Sequence, residues 1–232
     1  IDYYGDGDNE LHLVFNFPLM DTDRLTPAWI RENQKERLSA LPKNAWPCNT
    51  LGNHDAARLY SRYADGENND ELARLNLALM LTLKGTPFLY NGEEIGMSDL
   101  MLDDIEMFRD NLGVWLFREI TISRIASEQQ ALEIVEKITR DKCRTPMQWA
   151  NAPNAGFSPE TVQTWLPVNP NFAEGINVEV QLTDPDSMLN FYKQLLSIRK
   201  EYRALVEGDY QPLHEDQESY FAFLRTSLQQ RC

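Results

Sequence analysis

Two stretches of this sequence gather polar side chains of several kinds within a few positions. In Asn53-His54-Asp55, followed one helical turn later by Arg58, an amide, an imidazole, a carboxylate and a guanidinium stand close together. Such a mixed set can exchange hydrogen bonds with a hydroxyl-rich ligand in both directions. The plain structural alternative is that Asp55 caps the next helix and His54 is a satisfied core histidine. The second stretch is Arg140-Asp141-Lys142-Cys143-Arg144-Thr145-Pro146-Met147-Gln148-Trp149. Two arginines beside an acid and a tryptophan offer forked hydrogen bonds and an apolar platform. Its alternative is a loop pinned by surface ion pairs. The neighbours Glu93-Glu94 and Asp103-Asp104 look like metal ligands, but adjacent carboxylates read better as a solvated face.

Both stretches need elements to hold them. Residues 10–17 (ELHLVFNF) form a short, aromatic-rich apolar run ended by Pro18, which predicts a buried strand. Thr26 as N-cap and Pro27 at the first helical position predict a helix to about Leu41. A second strand ends in Asn49-Thr50-Leu51-Gly52 and carries Asn53-His54-Asp55 at its tip. Asn69 or Asp70 opens a helix with Leu72, Leu75, Leu79, Met80 and Leu83 at helical spacing, closed by Gly85 at C′. Thr86-Pro87-Phe88-Leu89-Tyr90 is a third strand. This alternation predicts a parallel sheet with crossover helices, in which functional residues gather at the carboxyl ends of the strands. Ser127 then caps a helix carrying Ala131, Ile134, Val135 and Ile138 on one face, and residues 140–175 lack periodicity and read as a long irregular excursion. A last helix runs from Pro185-Asp186-Ser187 to about Tyr202. Strand-like text follows from Gly208, so residues 1–206 and 207–232 read as separate domains.

The chain has 232 residues, 42% of them hydrophobic and 25% charged, enough for a sizeable core. Its 22 basic and 36 acidic residues sum to −14, which argues against a nucleic-acid or membrane-surface partner, since both demand a cationic footprint. No apolar run is long enough for a membrane helix. Cys48, Cys143 and Cys232 are far apart and form no CxxC pair; they read as small buried hydrophobes in a reducing, cytoplasmic compartment. His12, His54 and His214 make no local HxH or HExxH ligand set, so no metal is expected. No phosphate loop or dinucleotide fingerprint is present, and no cofactor is called for.

In order along the chain, LGNHDAAR, KGTPFLYNGEEIGM, TRDKCRTPMQW and NAGFS…TWLPVNPNF…INVEVQ resemble the α-glucosidase branch of glycoside hydrolase family 13. The resemblance covers Asp2 to about Tyr210. It implies an α/β fold: the C-terminal part of a (β/α)₈ TIM barrel, with LHLVFNF, NTLGNHD and TPFLYNG as strands six to eight, then the start of an antiparallel β domain. It implies that Asp55 is the family's transition-state-stabilising aspartate, that His54 bonds the same sugar, and that Arg140 or Arg144 closes the far end of the glucose pocket. The partner so implied is an α-glucosyl oligosaccharide.

The family's GFRxD segment, which bears the nucleophile, and its Glu-bearing acid/base segment occur nowhere in residues 1–232. Retaining hydrolysis needs two carboxyl groups about 5–5.5 Å apart. The chain therefore reads as a piece of a longer enzyme, inactive alone and dependent on the N-terminal half of the barrel. Two rivals share part of this text: a transglycosylating or sucrose-isomerising relative, and the amino-acid-transporter heavy chain. The complete NHD and RTPMQW motifs stand against the second.

Overall fold

The computed structural model describes residues 2–4 and 9–228. In chain order its elements are α1 (Phe17–Met20), α2 (Pro27–Ala40), β1 (Cys48–Thr50), α3 (Leu59–Arg62), α4 (Asn69–Thr82), β2 (Thr86–Phe88) and α5 (Asn111–Ile122). They continue with α6 (Glu128–Ile138), α7 (Val178–Thr183), α8 (Met188–Glu201), α9 (Arg203–Glu207), β3 (Asp209–Leu213) and β4 (Ala222–Thr226). The chain divides into two units, one of residues 1–51, 63–89 and 191–232, the other of residues 52–62 and 90–190.

In the first unit β1 and β2 are parallel, with Cys48 opposite Thr86 and Thr50 opposite Phe88, as the strand–helix–strand order predicts. All of β1 is buried. Helix α2 starts as expected: the Thr26 side chain accepts from the Trp29 N–H at 3.2 Å and Pro27 takes the first turn. Helix α4 departs from expectation in three details. Its N-cap is Asn68, and Leu75 faces solvent while Ala73, Leu77, Met80 and Leu81 are buried. Gly85 lies two residues past the Leu83 cap instead of one, and there its φ of +131° and a close approach to Pro47 require glycine. The leucines of α4 supply more than one apolar stripe, and tertiary packing selects between them. Strands β3 and β4 pair as an antiparallel hairpin from Asp209–Thr226 to Leu213–Ala222.

Residues 10–17 are not a regular strand. Only Phe15 bridges β1, in parallel at Cys48, and from Phe17 the chain turns into α1 with Pro18 in its first turn. Leu11, Leu13, Phe15 and Phe17 are exposed instead of buried, so little packing holds this run extended against one neighbour.

The second unit is built around two apolar clusters. One joins Ile95, Met97, Met147 and Leu189; the other joins Leu102, Phe108, Val135 and Leu166. Helices α5 and α6 pack on each other, with Gly113 lying against Val135. Ser127 starts α6 with a reciprocal capping box to Gln130. Ala131 and Val135 are buried, but Ile134 and Ile138 are exposed. Residues 140–175 hold only short 3₁₀ turns, as the missing periodicity predicts. Helices α5 and α7 lie where no helix is expected from the sequence.

Cys48 and Cys143 are buried free thiols; Cys232 lies outside the described residues. Among the described residues no helix is long and apolar enough to cross a membrane, and no group of three or more His, Cys, Asp or Glu residues could hold a metal ion.

Candidate functional site

The polar residues that follow β1 in the chain, and those that follow α6, meet within the second unit. Asn53 Oδ1 accepts the Asp55 N–H at 2.7 Å, a local turn that fixes the backbone beneath the Asp55 carboxylate. Oδ1 of that carboxylate accepts from Arg144 Nη2 at 2.6 Å and from Arg140 Nη1 at 3.2 Å, across 89 and 85 residues of sequence. Its Oδ2 lies 3.5 Å from His54 Nε2. Arg144 also donates from Nε to the His54 carbonyl at 2.6 Å. The side chains of His54 and Asp55 remain 68% and 52% exposed, which rules out a core histidine. The Asp55 carboxylate is held by side chains 85 residues or more away, not spent on capping the next helix.

Desolvation by the surrounding groups pushes the Asp55 carboxyl up, but His54, Arg144 and Arg140 outweigh it and hold it below the ordinary carboxylate range. Asp55 is thus an ionised, accessible acceptor at neutral pH. Such a group can accept hydroxyl hydrogen bonds and stabilise positive charge that develops beside it.

Each arginine is anchored from behind. Arg140 donates from Nε and Nη2 to the buried Asp110 carboxylate at 2.8 and 2.7 Å. The main-chain carbonyl of Arg144 accepts from Trp165 Nε1 at 2.9 Å, and Trp165 meets Phe157 edge-on. Beneath them the Cys143 thiol donates to the Arg140 carbonyl at 3.0 Å, and burial pushes it up to about 11. A thiol so placed is a packing group.

Arg58 does not join Asp55. Its guanidinium is buried, donates from Nη1 to the Asn91 carbonyl at 2.7 Å and lies over the Tyr90 ring. Burial lowers its basicity, and Tyr90, Cys143, Asp99 and Glu93 only partly restore it. Glu93 corrects the solvated-face expectation. It is 4% exposed, and burial pushes its carboxyl up to about 8 against the Tyr90 N–H and Arg58, which lower it. Oε2 accepts the Tyr90 N–H at 3.1 Å, and Oε1 packs where a Cβ on Gly52 would come within 2.1 Å. Asp103 and Asp104 are exposed, as expected.

Asp110 is the member of this constellation that the sequence does not flag, whereas Glu93 and Trp165 lie in stretches it singles out without showing what they hold. Asp110 had one legible signal: as an aspartate two residues before Leu112, whose N–H it accepts at 3.3 Å, it caps α5.

Residues 1–208 match the family model described as "Alpha amylase, catalytic domain". The chain is 34% identical to the probable oligo-1,6-glucosidase 2 of Bacillus subtilis strain 168, over 99% of its own length and 42% of that protein. It is 35% identical to the oligo-1,6-glucosidase of Parageobacillus thermoglucosidasius, over 94% of its length and 40% of that protein. Among solved structures, the trehalose-6-phosphate hydrolase of Bacillus licheniformis superposes with a TM-score of 0.82 at 33% identity, covering 97% of this chain and 42% of that one. The trehalulose synthase MutB of Pseudomonas mesoacidophila MX-45 gives 0.81 at 32% identity, covering 94% and 41%. The chain therefore spans about two-fifths of the length of the relatives it matches. With these likenesses carried along nearly the whole sequence, the chain belongs to the alpha-amylase family of glycoside hydrolases and has the α/β fold of part of its barrel.

Proposed function

We infer that this chain supplies the transition-state-stabilising side of an α-glucosidase that cleaves α-linked glucosyl oligosaccharides with retention. The observation that carries this is the Asp55 carboxylate, exposed to a ligand and fixed by two arginines from a distant segment. Asp55 accepts from hydroxyls of the bound glucosyl unit and stabilises its oxocarbenium-like transition state. His54 bonds the same sugar, and Arg140 and Arg144 bound the pocket. The nucleophile and the acid/base come from the part of the barrel that relatives have and residues 1–232 do not contain. On this reading residues 10–17, β1 and β2 belong to barrel strands six, seven and eight. Residues 1–206 are barrel and 207–232 open an antiparallel β domain, of which the β3–β4 hairpin is the visible part.

A second reading is favoured by the likeness to the trehalulose synthase MutB and to the isomaltulose synthase of Erwinia rhapontici NX5 in complex with its natural substrate sucrose. Product analysis of the whole enzyme with sucrose and with isomaltose separates the two.

The test of the Asp55 role is Asp55→Asn in the whole enzyme. The amide keeps the size and loses the charge, so kcat should fall about a thousandfold with the fold intact. A variant that keeps more than about a tenth of the wild-type kcat sinks the assignment.

A further inference from the structure

Arg140 is held by one residue that no motif flags. The Asp110 carboxylate is buried and accepts four hydrogen bonds: Arg140 Nη2 at 2.7 Å and Leu112 N at 3.3 Å on Oδ1, Arg140 Nε at 2.8 Å and Arg140 N at 3.1 Å on Oδ2. The lock is reciprocal, because Asp141 Oδ2 accepts the main-chain N–H groups of Arg109 and Asp110, each at 2.7 Å. Two carboxylates thus zip residues 109–110 to residues 140–141 from both sides. Asp110 takes the Nε and Nη2 edge of the guanidinium, and Nη1 alone is left facing Asp55. A forked pair of this kind fixes the plane of an arginine as well as its position.

We propose that Asp110 is a positioning residue for sugar binding: it sets Arg140 so that Nη1 presents a donor at the Asp55 pocket. The inference rests on the glucosidase reading for its ligand, but the geometry it claims is independent of that reading. Asp110 touches no sugar. It acts through Arg140, and so its effect falls on binding. On the glucosidase reading Arg140 closes the end of the pocket away from the bond that breaks, and Asp55 keeps its shorter bond from Arg144 Nη2 at 2.6 Å, so the loss falls on KM far more than on kcat.

The discriminating variant is Asp110→Ser in the whole enzyme. Serine still caps α5, accepting from Leu112 as aspartate does, but one hydroxyl is too short and too few-handed to hold the guanidinium. The expected result with 4-nitrophenyl α-glucoside is a KM raised about tenfold with kcat within about threefold of wild type. In the Arg140→Gln background the same change should raise KM by less than about twofold, because the residue it acts through is gone. A lowered melting temperature with KM unchanged overturns the proposal, as does a full multiplicative effect in the Arg140→Gln background. If Asp110→Ser does not fold, Asp110→Asn carries the same test, being isosteric and also a capping residue. A crystal structure of the variant gives the readout that needs no activity. The Arg140 guanidinium should leave Asp55; if it keeps its place, Asp110 does not position it. A wild-type enzyme without glucosidase activity sinks the functional reading alone, and the crystallographic result then decides on Asp110.

Discussion

Asp55 and Glu93 are carboxylates of one unit with opposite electrostatic fates. Asp55 stays half-exposed and is drawn down by His54 and two guanidinium groups, whereas Glu93 loses its hydration and is pushed up to about 8. The consequence for Glu93 is a pH-dependent cost. Unfolded, it ionises near an ordinary 4.5; folded, it keeps its proton up to about 8. Between those values the native state binds more protons than the unfolded state, so this residue makes stability fall as pH rises and contributes no such loss below about 4.5. In the whole enzyme, Glu93→Gln should be close to neutral near pH 4.5 and more stabilising toward pH 8, because glutamine can still accept the Tyr90 N–H and never ionises. Melting temperatures of both proteins across that range check it; a constant difference between them contradicts the assignment. At this scale the sequence was legible where partners are contiguous. Asn53, His54 and Asp55 announce themselves as a cluster, but Asp110 lies 30 residues from Arg140 and reads as an ordinary acid before a helix.

The elements divide by whether their ends or their faces define them. Helices α2 and α6 were readable because Thr26 and Ser127 sit at their starts and bond as caps. Helix α5 was not, since Leu112, Val114, Trp115, Leu116, Phe117, Ile120 and Ile122 leave hardly a polar face to show a period. Residues 10–17 failed in the opposite sense: the right composition for a strand, with one bridge to pair it. The capping box offers a clean measurement. Ser127 accepts the Gln130 N–H at 3.3 Å, and the Gln130 side chain accepts the Ser127 N–H at 3.1 Å. Ser127→Ala removes the first bond and leaves the chain path, which should cost about 1 kcal/mol. Hydrogen exchange of the α6 amides should rise by a comparable factor, about five- to tenfold at that cost, if the helix opens locally. Exchange that does not change assigns the end of α6 to packing by Ala131 and Val135.

At the scale of the molecule, the parallel order of β1 and β2 followed from the alternation of strands and helices, and the family from four motifs in register. What no local pattern could supply is the set of partners these elements need. Among the described residues β1 pairs with β2 and, at one residue, with Phe15; neither outer edge carries a further strand. Phe15, Phe17 and Phe88 form a ring cluster with centroids 5.5 and 5.0 Å apart, yet they are 42%, 53% and 40% exposed. Open edges and uncovered aromatics on one small sheet invite pairing with another chain. At about 25 cal/mol per Å² of apolar surface left in water, a few hundred Å² removes most of a typical net stability of about 5–15 kcal/mol. On the proposed division of labour these 232 residues should not catalyse alone, for a separate reason. The carboxylate linked to Asp55 through Arg140 is Asp110, which is buried and already accepts four hydrogen bonds, so it cannot attack a sugar. The purified chain should therefore release no 4-nitrophenol from 4-nitrophenyl α-glucoside, and in size-exclusion chromatography it should run as oligomer or aggregate. Co-expression with the N-terminal segment of a relative's barrel should recover a soluble complex and, with it, turnover. Hydrolysis by the isolated chain, free of host enzyme, would refute the division of catalytic labour. A sharp melt from a monodisperse monomer would show that the exposed sheet edge needs no partner.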